Sequence, residues 1–242
     1  MSTAVRATAG PAHHPPTWLL HGARSTCRWL IRRRYDVREH GLGHLPPQGP
    51  VIVAANHTGV IDGPLLAIFG TRPVHALTKE EMFAGKLGRF LQHAGQIALD
   101  RDHTDLRAIR TCLHVLERGG AVGIFPEGNR GAGDLTRFRN GAAYLALVTG
   151  APVVPLMMYG TRPAGGGKNA LPEPGTRIDL VYGAPHRVAA QPWPRTKTQV
   201  AAAADALHAR MREELEAGLA LTGQTLPGPI PAPDHAAAQE NS

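Results

Sequence analysis

At 242 residues the chain has the length of one domain with a sizeable core, and a second domain is not expected. A net charge of +7 with a pI near 10 favours an acidic partner, whether nucleic acid, anionic lipid or a phosphorylated substrate. Aromatic residues make up only 5%, with no basic and aromatic residues interleaved along a strand, which sets nucleic acid aside, while Cys27 and Cys112 form neither a disulfide framework nor a zinc-binding cluster.

The first fifteen residues lack the apolar core of a secretory signal and carry His13, His14 and prolines, so 1–15 is expected to be a disordered leader. From Trp18 to Ile31 the residues Leu19, Leu20, Ala23, Cys27, Leu30 and Ile31 recur at helical spacing, beside a stripe of Arg24, Arg28 and Arg32 at intervals of four. The segment 16–40 is therefore expected to hold a basic amphipathic helix. With Trp18 and Trp29 flanking the stripe and Arg33 and Arg34 extending its charge, the helix suits a headgroup layer, arginines toward phosphates. The alternative is a surface helix whose apolar face packs on its own domain, its arginines solvated.

A turn cluster of Pro46, Pro47, Gly49 and Pro50 leads into Val51-Ile52-Val53-Ala54-Ala55, an apolar run of the length of a buried strand. Further strands are expected at 74–78, 97–99, 121–125, 153–159 and 178–182, and helices near 64–69, 82–93, 104–118 and 200–219. The helix from Thr104 has an N-cap position near His103 or Thr104, acidic Asp105 in its first turn and Gly119-Gly120 at its end. Residues 140–161 carry no charge and are long enough to span a bilayer, but Gly150, Pro152 and Pro155 divide them into a short helix, 141–149, and a strand starting at Ala151. No transmembrane helix is expected. Gly165-Gly166-Gly167 with Lys168 lacks the second glycine and the Lys-Ser/Thr pair of a phosphate-binding P-loop and reads as a connector, and the Pro/Ala-rich tail 223–242 is expected to be disordered. Alternation of strands and helices indicates an α/β layer fold.

Two short runs carry the chemistry. In Asn56-His57-Thr58-Gly59-Val60-Ile61-Asp62, a histidine precedes an aspartate by five positions; in Phe125-Pro126-Glu127-Gly128-Asn129-Arg130, an apolar strand ends on acid, glycine and arginine. A neutral imidazole suits removal of a proton from an attacking hydroxyl, and a carboxylate on its other nitrogen fixes the tautomer. His57 is the candidate base and Asp62 its partner. A continuous strand would separate the two by about 16 Å, so the pairing demands a turn, which Gly59 and the Gly63-Pro64 pair permit. Arg130, with a backbone amide exposed by Gly128, offers a guanidinium fork for a phosphate. Arg137 and Arg139 are weaker candidates for the same task. No nucleophilic serine or cysteine adjoins the dyad, so direct attack by an acceptor hydroxyl is expected, with Thr58 the one nearby hydroxyl to watch.

The two runs, in this order, resemble the signatures N-H-x-x-x-x-D and F-P-E-G-T-R-S of the glycerolipid acyltransferases, the family typified by 1-acylglycerol-3-phosphate acyltransferase. Between and after them, Gly95-Gln96-Ile97-Ala98-Leu99-Asp100-Arg101 is similar to the family's second block and Ala151-Pro152-Val153-Val154-Pro155-Leu156 to its fourth. The resemblance covers about residues 35 to 185, and Asn129 and Gly131 depart from the pattern where Thr and Ser are usual. It implies a single glycerol-3-phosphate acyltransferase-like domain over 41–222, with a central, mostly parallel or mixed sheet flanked by helices. It further implies transfer of a fatty acyl group from acyl-coenzyme A or acyl carrier protein to the free hydroxyl of lysophosphatidic acid, giving phosphatidic acid. His57 and Asp62 would be catalytic, and Arg101, Glu127, Gly128 and Arg130 would shape the acceptor site, with no metal and no cofactor beyond the thioester substrate. Another lysophospholipid or a lyso-aminolipid is the alternative acceptor, and a catalytically silent lipid-binding protein the alternative class. Peripheral attachment to an anionic membrane on its cytoplasmic face is the expected location.

Overall fold

The computed structural model describes residues 15–16 and 18–231; residues 1–14 of the leader expected over 1–15 and residues 232–242 of the tail expected over 223–242 lie outside the described residues. In chain order the elements are α1 (Trp18–Gly22), α2 (Arg24–Arg34), β1 (Asp36–His40), β2 (Val51–Ala55), α3 (Asp62–Ile68), β3 (His75–Lys79), α4 (Gly85–His93), β4 (Ile97–Leu99), α5 (Leu106–Glu117), β5 (Ala121–Ile124), α6 (Gly141–Thr149), β6 (Val153–Tyr159), β7 (Arg177–Tyr182) and α7 (Lys197–Thr222). The strands form one seven-stranded sheet in the order β1-β7-β6-β2-β5-β3-β4. Strands β6, β2, β5, β3 and β4 run parallel, and only the β6–β7 pairing is antiparallel, so the sheet is mixed.

The central strands β2, β5 and β6 are buried on both faces, which is why they read as apolar runs rather than alternating ones. Alternation survives in which layer each residue fills: Ile52 and Ala54 join α5, α6 and α7 in one core, while Val51, Val53 and Ala55 join α3 in the other. Helix ends follow local chemistry. The Asp105 carboxylate accepts from the Ala108 N–H at 2.9 Å, so the cap of α5 is Asp105 rather than His103 or Thr104. Thr196 and Gln199 close a capping box on α7, and Gly223 ends that helix at φ 65°.

Two expectations about the flanks are corrected. The span 16–40 is not one helix: α1 and α2 are separated at Ala23, and Asp36–His40 is the edge strand β1, paired in parallel with β7. Nor does the arginine stripe face outward. Glu39, on β1, has a side chain only 5% exposed and accepts from Arg28 at 2.7 Å, Arg32 at 2.6 Å and the Gly70 N–H at 2.7 Å. Arg24 donates to the carbonyls of Ile68 and Gly70, and the guanidinium carbons of Arg28 and Arg32 stand 5.1 and 5.4 Å from the Phe69 ring centroid. A buried carboxylate needs cations more than those cations need water, so it draws the stripe inward. Trp18, Trp29 and Leu30 are left exposed.

At the other end, residues 223–231 are not free of the domain. Gln224 donates to the Arg177 carbonyl and to the buried Asp179 carboxylate at 3.2 and 3.0 Å, and the Pro227 carbonyl accepts from the Gly165 N–H at 3.2 Å. Among the described residues, no helix is long and apolar enough to cross a membrane.

Candidate active site

Because β2, β5 and β6 are parallel, the segments leaving their carboxyl ends emerge on one edge of the sheet, the edge where open α/β sheets place their ligands. His57 leaves β2, Glu127 and Arg130 follow β5, and Thr161 and Arg162 follow β6.

The chain after β2 folds into a tight turn around one carboxylate. Asp62, the first residue of α3 and fully buried, accepts with Oδ2 from the backbone N–H of Thr58 at 2.7 Å, from that of Gly59 at 2.8 Å, and from His57 Nδ1 at 2.8 Å. A carboxylate only accepts, so Nδ1 carries the proton and Nε2 presents a lone pair. The predicted turn is therefore present, and the aspartate that fixes the imidazole also builds it. Gly59 has a further reason to be glycine: a Cβ there would stand 2.2 Å from the Thr161 carbonyl oxygen. The His57 ring stacks on Phe125, with centroids 4.1 Å apart and 20° between planes, and its side chain remains 18% exposed.

The second loop is bonded to the first through main chain. The His57 N–H donates to Glu127 Oε1 at 2.8 Å, and the His57 carbonyl accepts from the Gly131 N–H at 2.9 Å. Glu127 is buried, and that burial pushes its carboxyl up to about 7, against the lowering effect of its bond from His57; the charges of Asp134 and Asp62 add to the rise. Gly128 adopts φ 74°, with the Arg139 side chain against it.

Arg101, leaving β4, reaches this loop from the other side. One terminal nitrogen donates to the Gly128 carbonyl at 2.7 Å and to Asn129 Oδ1 at 2.5 Å, while its buried Nε has no hydrogen-bond partner among the described residues. Arg139 closes the ring, donating to the Arg101 carbonyl at 3.2 Å. Arg130 donates to the Lys168 carbonyl at 2.8 Å and to Asn169 Oδ1 at 3.1 Å, so the glycine-rich connector is part of this edge. Burial lowers the pKa of Arg130, Asp62 opposes that shift and Arg101 adds to it. Two cations and the His57–Asp62 pair thus share one electrostatic neighbourhood.

All six residues singled out from the sequence, His57, Asp62, Arg101, Glu127, Gly128 and Arg130, lie in or next to these two loops. Thr58, the hydroxyl of interest, is buried and shares a 2.6 Å hydrogen bond with the Thr161 hydroxyl, so it stands as a structural contact. Several residues had no assigned role. The Asn56 side chain is buried and continues the β2–β6 ladder, donating to the Met158 carbonyl at 3.1 Å and accepting from the Met158 N–H at 2.7 Å. Thr161 and Arg162 also belong to this edge, and their place directly after a buried strand parallel to β2 is a signal that sequence carries. Among the described residues, no three His, Cys, Asp or Glu side chains are grouped so as to hold a metal ion.

The family model described as Acyltransferase matches residues 36–159. A 1-acyl-sn-glycerol-3-phosphate acyltransferase of Bacillus subtilis is 30% identical over 187 residues, covering 76% of this chain and 90% of the relative. The human 1-acyl-sn-glycerol-3-phosphate acyltransferase alpha is 34% identical over 139 residues, and there the match spans 47% of the relative. The crystal structure of the 1-acyl-sn-glycerophosphate (LPA) acyltransferase PlsC from Thermotoga maritima superposes with a TM-score of 0.60 at 23% identity, covering 83% of this chain and 80% of that one, which establishes a shared fold. The chain belongs to the acyltransferase family and is an O-acyltransferase.

Proposed function

We propose that the protein transfers a fatty acyl group from an acyl-coenzyme A or acyl carrier protein thioester to the free hydroxyl of 1-acylglycerol-3-phosphate, forming phosphatidic acid. The observation that carries this reading is the His57–Asp62 pair, whose 2.8 Å bond on Nδ1 leaves Nε2 available, with Arg130 within electrostatic reach of Asp62. In the proposed step the acceptor hydroxyl gives its proton to Nε2 as its oxygen attacks the thioester carbonyl. The Asp62 carboxylate stabilises the imidazolium that forms. Collapse of the tetrahedral intermediate breaks the C–S bond, and the imidazolium returns the proton to the departing thiolate. Arg101 and Arg130 receive the acceptor phosphate, with Gly128 leaving its amide approachable. Glu127 sets the distance between the two loops through the His57 N–H. The names of the Bacillus and human relatives support lysophosphatidic acid as acceptor.

A second acceptor class, another lysophospholipid or a lyso-aminolipid, is favoured by one specific observation. Asn129, where the family pattern has Thr, occupies a donor of Arg101 at 2.5 Å. An arginine already engaged by an amide offers less to a phosphate. The deciding assay supplies labelled oleoyl-coenzyme A and oleoyl-acyl carrier protein in parallel, with lysophosphatidic acid and other lysolipids as acceptors. Phosphatidic acid as main product is the expected result; product only from another acceptor moves the substrate assignment and keeps the chemistry.

The membrane partner is proposed to be an anionic lipid surface on the cytoplasmic side, met by the face that α1 and α2 turn outward. That face presents Trp18, Trp29 and Leu30, with the Arg33 guanidinium 5.1 Å from the Trp29 ring centroid. Indoles beside a cation suit the headgroup boundary, and the face is the opposite one from the stripe Arg24, Arg28 and Arg32.

A further inference from the structure

Arg162, directly beyond β6, is 3% exposed and has no carboxylate partner among the described residues. Every acceptor of its guanidinium is a backbone carbonyl, and each belongs to a different segment. Nε donates to Thr58 at 3.0 Å, in the turn that carries His57. One terminal nitrogen donates to Gly166 at 2.5 Å, in the glycine-rich connector. The other donates to Gly131 at 3.1 Å, in the loop after β5, and to Gly228 in the segment beyond α7. A guanidinium supplies donors in a rigid planar fork, and such a fork can hold several carbonyls at fixed mutual positions; an ammonium cannot.

The neighbours of Arg162 tighten the same junction. Thr161 bonds Thr58 hydroxyl to hydroxyl at 2.6 Å, and its carbonyl leaves no room for a side chain at Gly59. Gly131 is held on both sides: its N–H donates to the His57 carbonyl and its own carbonyl accepts from Arg162. The spacing between the base-bearing turn and the arginine-bearing loop is thus bridged three times, by Glu127, by Gly131 and through Arg162.

We propose that Arg162 is a positioning residue for acyl transfer, clamping the His57 turn and the Glu127–Gly131 loop in one register and tying the connector and the segment around Gly228 to the same point. The proposal rests on the transfer reaction assigned above, and it makes residues around Gly228 part of the active edge. A shift of about 1 Å between base and acceptor is enough to lower a rate about 100-fold, so a clamp of this kind has kinetic weight without touching substrate.

The test compares full-length wild type, Arg162→Ala and Arg162→Lys, each shown to be folded at the assay temperature by circular dichroism. Arg162→Ala is expected to lose about 100-fold in kcat at saturating acceptor. Free methylguanidinium should restore part of that loss at concentrations that leave the melting temperature unchanged. If Arg162→Ala does not fold, Arg162→Lys carries the test, with a loss of about 10-fold or more expected because one ammonium cannot span the carbonyls. Hydrogen exchange is read in parallel, and faster exchange in the variant is expected together at 57–63, 127–133, 163–168 and 223–230, with β2, β5 and α6 unchanged. Unchanged exchange in those four segments overturns the clamp whatever the activity. Faster exchange with kcat within twofold of wild type overturns its role in positioning. Should wild type acylate no acceptor, the transfer reading fails and the exchange result alone judges the clamp.

Discussion

The turn that holds His57 and the helix that carries Arg24, Arg28 and Arg32 were both legible as spacings, yet they reached opposite outcomes. In the turn the partner is five residues away, so the same short stretch that names the pair also brings it together: Asp62 accepts from His57, Thr58 and Gly59 at once. In the helix, i to i+4 spacing fixes only that the three arginines share a face. What that face meets is decided by Glu39, on a strand the sequence did not reveal, and by the carbonyls of Ile68 and Gly70. A periodic pattern specifies a surface, and a buried countercharge elsewhere in the chain decides whether it points inward or out.

That contrast can be broken at either end. The largest effect is expected from His57→Ala, which removes the proposed base and should lower kcat by about 1,000-fold in the acyl-transfer assay. Besides its stacking on Phe125 the partly exposed imidazole gives one bond to Asp62, whose Oδ2 keeps the Thr58 and Gly59 N–H donors in the variant, so the melting temperature should move little. A large loss of stability instead would make His57 a structural residue like Thr58. The reverse pattern is expected of Glu39→Ala. Removing the carboxylate leaves two arginines and the Gly70 N–H without their shared acceptor, and urea unfolding should register a loss of about 3 kcal/mol. Its kcat for acceptor supplied in detergent should stay within a few-fold, because the helix lies away from the edge that carries His57.

Glu127 links rate and stability. Its carboxyl is pushed from an ordinary 4.5 to about 7 by burial, so the folded chain holds this proton more tightly than the unfolded one. The resulting stability is complete below pH 4.5 and is lost as pH rises through 7, an amount on the order of 3 kcal/mol. Unfolding measured at pH 5 and pH 7.5 should show that slope in wild type and a flatter one in Glu127→Gln; equal slopes would mean that Glu127 is ionised throughout. The smallest expected effect belongs to the outward face of the first helices. Replacing Trp18 and Trp29 with Ser should weaken binding to anionic vesicles several-fold in a sedimentation assay without changing kcat on detergent-dispersed acceptor. Replacing Arg24 instead should destabilise the domain, since that side chain is bonded to it.

Much of the sheet was legible because its central strands are buried on both faces. Val51–Ala55, Ile97–Leu99 and Val153–Tyr159 stand where apolar runs bounded by Gly, Pro and polar residues placed them. Strand β1 was not legible: Asp36-Val37-Arg38-Glu39-His40 has a single apolar residue, and its strand character comes from pairing with β7. Residues 223–231 were misread for a related reason. Their composition cannot build a core of its own, but Gln224, Pro227 and Gly228 offer backbone and amide groups that Arg162, Gly165 and Asp179 complete.

The sequence by itself determined the α/β class, the positions of the buried strands to within a residue, the pairing of His57 with Asp62 and the loop that carries the basic residues, because each depends on residues close in the chain or on apolar runs that have only one place to go. The tertiary structure alone decided which face of the first helices is outward and that Thr58 serves a hydrogen bond rather than chemistry. It also decided that Arg162 joins four segments at one guanidinium, with partners up to 104 positions away. No local pattern encodes those partners; they meet because parallel strands deliver their carboxyl ends to a single edge.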